Sequence, residues 1–152
     1  MTIKHDTFTI ERTLDASPER VFEALSKPEI KARWFVGPAE WKQNERRMDF
    51  RVGGTERLSG THAGAITSVF DATYYDIVPN ERVVYVYEMT VNGRKISTSL
   101  ATFRIEPTGA AQTKLVLTEQ GAYFDEHPQA GNESRRRGTE FLIDQLVAVV
   151  SR

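Results

Sequence analysis

The chain opens on a two-residue beat. In "TFTIERTLDAS", Phe8, Ile10 and Leu14 fall on one face, and Thr7, Thr9, Glu11 and Thr13 fall on the other. That alternation predicts a half-buried strand. Ser17-Pro18-Glu19 then signals a helix start. It supplies a capping hydroxyl, a ring suited to the first turn, and an acid beside the helix dipole. Val21, Phe22 and Leu25 form the apolar stripe of this short helix, and Lys27-Pro28 breaks it. Residues 28–35 predict a further turn or two of helix carrying Ile30, Trp34 and Phe35, ended by Gly37-Pro38.

After residue 40 the pattern turns to β. Met48, Phe50 and Val52 alternate ahead of Gly53-Gly54. "ITSVFDATYYDIV" and "RVVYVYEMTV" are rich in β-branched and aromatic residues, and Pro79-Asn80 separates them as a turn. Asn92-Gly93 predicts a hairpin. "KISTSLATFRIEP" and "TKLVLTEQGAYF" follow, split by residues 107–111. Successive strands with short connections predict an antiparallel meander. An irregular stretch from 121 to 132 leads to a last helix, with Asn132 as its expected cap. Leu142, Leu146, Val149 and Val150 repeat there at helical spacing, with Phe141 and Ile143 widening the face.

The order is strand, two short helices, a long antiparallel sheet, and a terminal helix. The helix must bury its stripe, and the sheet is the only large apolar surface on offer. The expected class is α+β, one domain over 1–152, with a curved sheet wrapped around the terminal helix. Such a wrap encloses space.

Composition narrows the function. With 152 residues the chain can bury a sizeable core without covalent staples. A net charge of −1 gives no support to a nucleic-acid or anionic-membrane role. The absence of cysteine removes disulfides, thiolate zinc sites and cysteine nucleophiles. No apolar run follows Met1, and no stretch approaches membrane-spanning length. A cytoplasmic protein without a membrane span or processed leader is expected.

Several motifs fail. Gly53-Gly54 is not followed by the Gly-Lys-Ser/Thr of a phosphate loop, so a turn or bulge is expected. His5, His62 and His127 lack i+4 partners, and Asp125 to Pro128 is expected to be a solvated loop; neither a metal nor a cofactor is expected. No G-x-S-x-G elbow occurs. Arg135, Arg136 and Arg137 point in three directions on a helix and are expected to be a solvated first turn. Trp34 and Trp41 are expected in the core and at the sheet edge, Trp34 toward a cavity mouth.

Strand parity is more informative. Arg12 shares the face of Phe8, Ile10 and Leu14. Glu56 follows Met48, Phe50 and Val52 if the glycines leave the register unshifted. Glu119 follows Leu115 and Leu117. Tyr85, Tyr87 and Met89 form one stripe, and Ala101, Phe103 and Ile105 another. Three charges thus land on a mostly apolar concave face. Buried charges must pair or meet water or ligand. Two readings stay open: salt bridges at strand ends, or polar groups converging on a cavity. Tyr74 and Tyr75 offer further hydroxyls.

"ERTLDASPERVFEALSKPEIKARWF", "DFRVGGTERLSG", "YYDIVPNERVVYVYEM" and "GTEFLIDQLVAVV", in this order and spacing, resemble the START and birch-pollen-allergen superfamily, the helix-grip fold. The similar branch is the one named after the activator of the Hsp90 ATPase, which also carries polyketide cyclase-like labels. The resemblance implies a cavity between the sheet and the last helix that holds an apolar or amphipathic small molecule. One departure is Gly138-Thr139, where the family usually has Gly-Trp. The residues expected around the cavity are Arg12, Phe22, Trp34, Phe50, Glu56, Tyr85, Tyr87, Met89, Phe103, Leu117, Glu119, Phe141 and Leu142. Three functions are weighed. The first is binding of such a ligand. The second is an enzyme of cyclase, dehydratase or hydrolase type using Glu56 or Glu119. The third is a chaperone-related interaction or regulatory protein. A protein partner, or a homodimer through the sheet edge or the irregular loop, is compatible with each.

Overall fold

The structure, a computed structural model, describes residues 3–62, 64–124 and 131–151. The elements run β1 (Ile3–Leu14), α1 (Pro18–Ser26), α2 (Pro28–Lys31), β2 (Lys42–Met48), β3 (Thr55–His62), β4 (Ile66–Val78), β5 (Arg82–Val91), β6 (Arg94–Gly109), β7 (Gln112–Phe124) and α3 (Asn132–Val150). The strands form one seven-stranded sheet in the order β1-β7-β6-β5-β4-β3-β2. Every neighbouring pair is antiparallel. This is the expected α+β helix-grip arrangement: a meander whose last strand returns to pair with β1, two short helices after β1, and a long C-terminal helix.

The local signals act as read. Ser17 caps α1 by accepting from the Arg20 amide at 3.3 Å. Asn92 and Gly93 adopt φ of 49° and 79°, the left-handed pair a tight hairpin needs. Register shifts in the β2–β3, β4–β5, β5–β6 and β6–β7 pairings interrupt the ladders. Such bulges bend and twist a sheet, which lets this one curve around the helix.

Phe8, Ile10, Leu14, Tyr85, Phe103, Leu115 and Leu117 pack into one core with Val21, Ala24 and Leu25 of α1 and Ile143, Leu146 and Val150 of α3. The buried stripe of α3 is Thr139, Ile143, Leu146 and Val150. That corrects the expected stripe by part of a turn: Leu142 and Val149 are only half-buried at its edge, and Phe141 is 45% exposed. Asn132 is the first helical residue, not the cap. Gly131 takes the cap position, and Asn132 instead accepts from the Tyr123 hydroxyl at 3.2 Å.

The second strand is shorter than its alternation suggests. β2 ends at Met48, and residues 49–54 form its hairpin loop to β3. Val52 is 57% exposed there. Gly53 has φ of +85°, and a Cβ on Gly54 would lie 2.1 Å from the Asp49 carbonyl oxygen. The glycines therefore make a corner with no room for side chains at Gly54. The corner docks on β4: the Gly53 amide donates to the Tyr74 carbonyl, and the Tyr74 amide to the Gly54 carbonyl. The expected loop at Asp125–Pro128, with His127, lies outside the described residues.

Candidate ligand cavity

Between the concave sheet face and α3 lies a cavity of about 480 Å³. Its wall is largely aromatic and aliphatic, from Trp34, Phe35, Phe70, Tyr85, Phe103, Leu117 and Ile143. Lys42, Gln43, Gly138 and Phe141 are exposed lining residues and mark where it meets solvent. The segment after α2 that forms one side is pinned by side-chain donors. Trp34 Nε1 donates to the Ala24 carbonyl at 2.8 Å. Gln145 on α3 donates to the Trp34 carbonyl at 2.7 Å. Arg46 donates to the Phe35 carbonyl. Trp41 stacks on His62 with centroids 4.1 Å apart.

Two buried polar clusters meet this apolar wall. In the first, Lys31 at the end of α2 is 5% exposed and Glu56 on β3 is 3% exposed. Lys31 Nζ donates to Glu56 Oε1 at 2.6 Å and to the Tyr74 hydroxyl at 3.4 Å. The Tyr74 hydroxyl in turn donates to Glu56 Oε1. Lys31 lines the cavity, whereas Glu56 and Tyr74 lie behind it. The ammonium also sits 4.7 Å from the Phe35 centroid and 5.9 Å from those of Trp34, Tyr74 and Tyr85, within cation–π range. Burial, with the Glu56 carboxylate beside it, pushes the Tyr74 phenol far above its ordinary range.

The second cluster has the same three kinds of group, but its cation reaches the glutamate through the tyrosine. Arg135 donates to the Tyr87 hydroxyl at 3.1 Å and to Ser97 Oγ at 2.7 Å. The Tyr87 hydroxyl donates to Glu119 Oε1 at 2.5 Å. Desolvation raises the proton affinity of Glu119, against the opposing pull of the Tyr87 hydrogen bond and the Arg135 charge. Desolvation likewise raises Tyr87, with Glu119 adding to it. The Arg135 guanidinium lies between the Tyr87 and Tyr123 rings, 5.6 and 5.5 Å from their centroids.

Nine of the expected residues line the cavity together: Trp34, Tyr85, Tyr87, Met89, Phe103, Leu117, Glu119, Phe141 and Leu142. Four do not. Glu56 faces inward but is screened by Lys31. Phe22 and Phe50 pack edge-on at 5.8 Å, and Phe50 meets Tyr74 at 4.9 Å, on the far side of that tyrosine. Arg12 takes the salt-bridge alternative, its Nε donating to Asp144 at 3.0 Å, with Glu140 at 3.8 Å. Tyr75 points away and is 62% exposed.

Lys31 and Arg135, the cations of the two clusters, are residues that the strand-parity argument passed over. The helix expected over 28–35 ends at Lys31, but the turn after it, in which the Trp34 and Phe35 amides donate to the Lys31 carbonyl at 3.2 and 2.8 Å, keeps Lys31 on the side of those two rings. Arg135 continues the Thr139–Ile143 stripe back by four, so it turns inward while Arg137 stays exposed. The expectation of a wholly solvated arginine run is corrected for that residue. Among the described residues no group of three or more acidic or histidine side chains could hold a metal ion. No helix among them is long and apolar enough to cross a membrane.

Comparison with known proteins agrees with this architecture. A protein of solved structure from Rhizobium leguminosarum is 40% identical, with 98% of this chain and 96% of that chain covered and a TM-score of 0.91. A protein from Rhizobium loti is 39% identical over 98% and 99%, with a TM-score of 0.88. One from Chromobacterium violaceum is 26% identical over 96% and 97%, with a TM-score of 0.76. No curated protein matches the chain. Residues 15–151 match the model of the family described as Activator of Hsp90 ATPase homolog 1-like protein, and the chain belongs to that family.

Proposed function

We propose that the protein binds a small, amphipathic, largely aromatic or fused-ring molecule between the sheet and α3. The observation that supports this reading best is the 480 Å³ cavity itself, apolar over most of its wall and met by two buried polar clusters. Ligand sites combine apolar enclosure with a few fixed polar groups in this way. The clusters are rigid before any ligand arrives, since each cation, tyrosine and glutamate is already hydrogen-bonded. The ligand therefore meets a preformed surface.

A thermal-shift screen with lipids, aromatic polyketides and flavonoids tests the proposal. A ligand at a hundredfold its Kd stabilises the folded state by about 2.7 kcal/mol, which raises the Tm of a domain this size by roughly 5–10 °C. If every class leaves the Tm unchanged, the proposal fails.

One observation favours a catalytic extension. Glu119 lines the cavity, and burial raises its proton affinity, the property a general acid or base needs near neutral pH. On this reading Glu119→Gln binds the ligand but does not turn it over. Turnover retained in that variant would eliminate Glu119 as the acid or base.

A further inference from the structure

We infer that the cavity selects an uncharged ligand carrying an exposed oxygen acceptor of the carbonyl class, received by the free N–H of Lys31. This inference rests on the cavity being a ligand site and specifies the chemistry it recognises.

The first observation is the hydrogen-bond inventory of Lys31. An ammonium has three N–H donors. One goes to Glu56 and one to the Tyr74 hydroxyl. The third has no acceptor among the described residues. Lys31 is the member of its cluster that lines the cavity, and the faces around it there belong to Trp34, Phe35 and Tyr85. A buried ammonium with a hydrogen bond to spare, on the wall of an apolar space, is matched by an acceptor on whatever fills that space.

The second observation is the charge balance. Lys31 is neutralised by Glu56 at 2.6 Å. Arg135 faces Glu119 through the Tyr87 hydroxyl. Each cation of the two clusters thus has its own carboxylate. A ligand anion held inside would bring a third buried negative charge beside Glu56 and Glu119, with no unpaired cation in either cluster to meet it; Lys42, the other lysine of the lining, stands exposed at the mouth, where solvent screens its charge. A ligand cation would meet Lys31 already occupying the aromatic cage, the place a cation would otherwise take. Uncompensated charge in a low-dielectric cavity is strongly disfavoured, so a neutral acceptor is the group that fits.

Four tricyclic probes of similar size separate the alternatives: xanthone with its carbonyl, xanthene without it, the xanthene-9-carboxylate anion and the 9-aminoacridine cation. Affinities for the wild-type protein and for Lys31→Met/Glu56→Gln are measured by titration calorimetry at pH 7. The double change keeps the cluster neutral. The wild type is expected to bind xanthone about ten- to a hundredfold more tightly than xanthene, the range for a hydrogen bond to a charged donor. Both charged probes are expected to bind more weakly than xanthone. The double variant is expected to bind the two neutral probes equally.

Equal wild-type affinity for xanthone and xanthene overturns this inference while leaving the cavity reading intact. So does preference for the carboxylate or the cation, or discrimination that survives the double change. Failure of all four probes to bind overturns both. Should the double variant not fold, the infrared carbonyl stretch of xanthone bound to the wild type replaces it. A stretch lowered from its value in apolar solvent supports the inference, and an unshifted one overturns it.

Discussion

Tyr87 on β5 and Glu119 on β7 are hydrogen-bonded at 2.5 Å although β6 runs between their strands. The contact passes over Ala101 and Ser99. Ala101 is paired with Glu119 and Ser99 with Tyr87. Both are buried, at 0% and 2% exposure. Small side chains on the central strand leave the space in which two long ones meet.

Enlarging that space-maker is expected to break the contact. Ala101→Leu puts three carbons where Tyr87 and Glu119 converge, and overpacking of this kind costs about 1–3 kcal/mol. A urea titration reads the loss as a lower midpoint with an unchanged slope. An unchanged midpoint would show that the cluster can re-form around a leucine.

Lys31 and Glu56 make the sharpest stability test. Lys31→Met leaves a carboxylate buried without its cation, and breaking a buried pair on one side costs about 3–5 kcal/mol. Lys31→Met/Glu56→Gln removes both charges and is expected to recover most of that loss. A double-mutant cycle completed with Glu56→Gln measures the coupling. Near-additive losses would mean that Glu56 finds water or another donor once Lys31 is gone.

Glu119 predicts a pH dependence of definite sign. Its proton affinity is raised in the folded state, so that state holds the proton after the unfolded chain has released it. Stability contributed by this residue is fully present below the ordinary glutamate pKa. It declines as pH rises from there through the folded value, and is level above. Surface carboxylates in salt bridges act in the opposite direction, so the comparison must be a difference. The Tm of Glu119→Gln minus that of the wild type is expected to grow between pH 4 and the raised value. A flat difference would place the folded pKa of Glu119 at its ordinary position.

Most of the fold was legible because its signals are local. The beat of β1, the Ser17-Pro18 start of α1 and the Asn92-Gly93 turn each act within a few residues. Glu119 was legible for the same reason, since strand parity carried it inward with Leu115 and Leu117. Arg12 shows where parity stops. It lies on the inward face but near the sheet margin, and its long side chain reaches Asp144 and Glu140 instead of the cavity. Phe50 and Val52 show a second limit: alternation continues in the letters after pairing has ended at Met48. Lys31 and Arg135 were hidden by their charge, which usually marks a solvated face. Their partners Glu56, Tyr87 and Ser97 come from distant strands that only the closed sheet brings to them.

Thr139 tests whether the cavity is what matters. It stands where the resembling family usually carries tryptophan after the glycine, is 8% exposed, and lines the cavity from α3. Thr139→Trp would extend an indole into that space. Because the space is already present, stability is expected to stay within about 2 kcal/mol of wild type, filling gains offsetting some strain. Ligand-induced thermal stabilisation is expected to disappear, because the indole takes up cavity volume that the ligand needs. The same variant leaves Lys31, Glu56, Tyr87 and Glu119 chemically untouched. Loss of binding would therefore report occlusion, not loss of a polar contact. A Thr139→Trp protein that still shows the full ligand-induced shift would place the ligand elsewhere on the molecule.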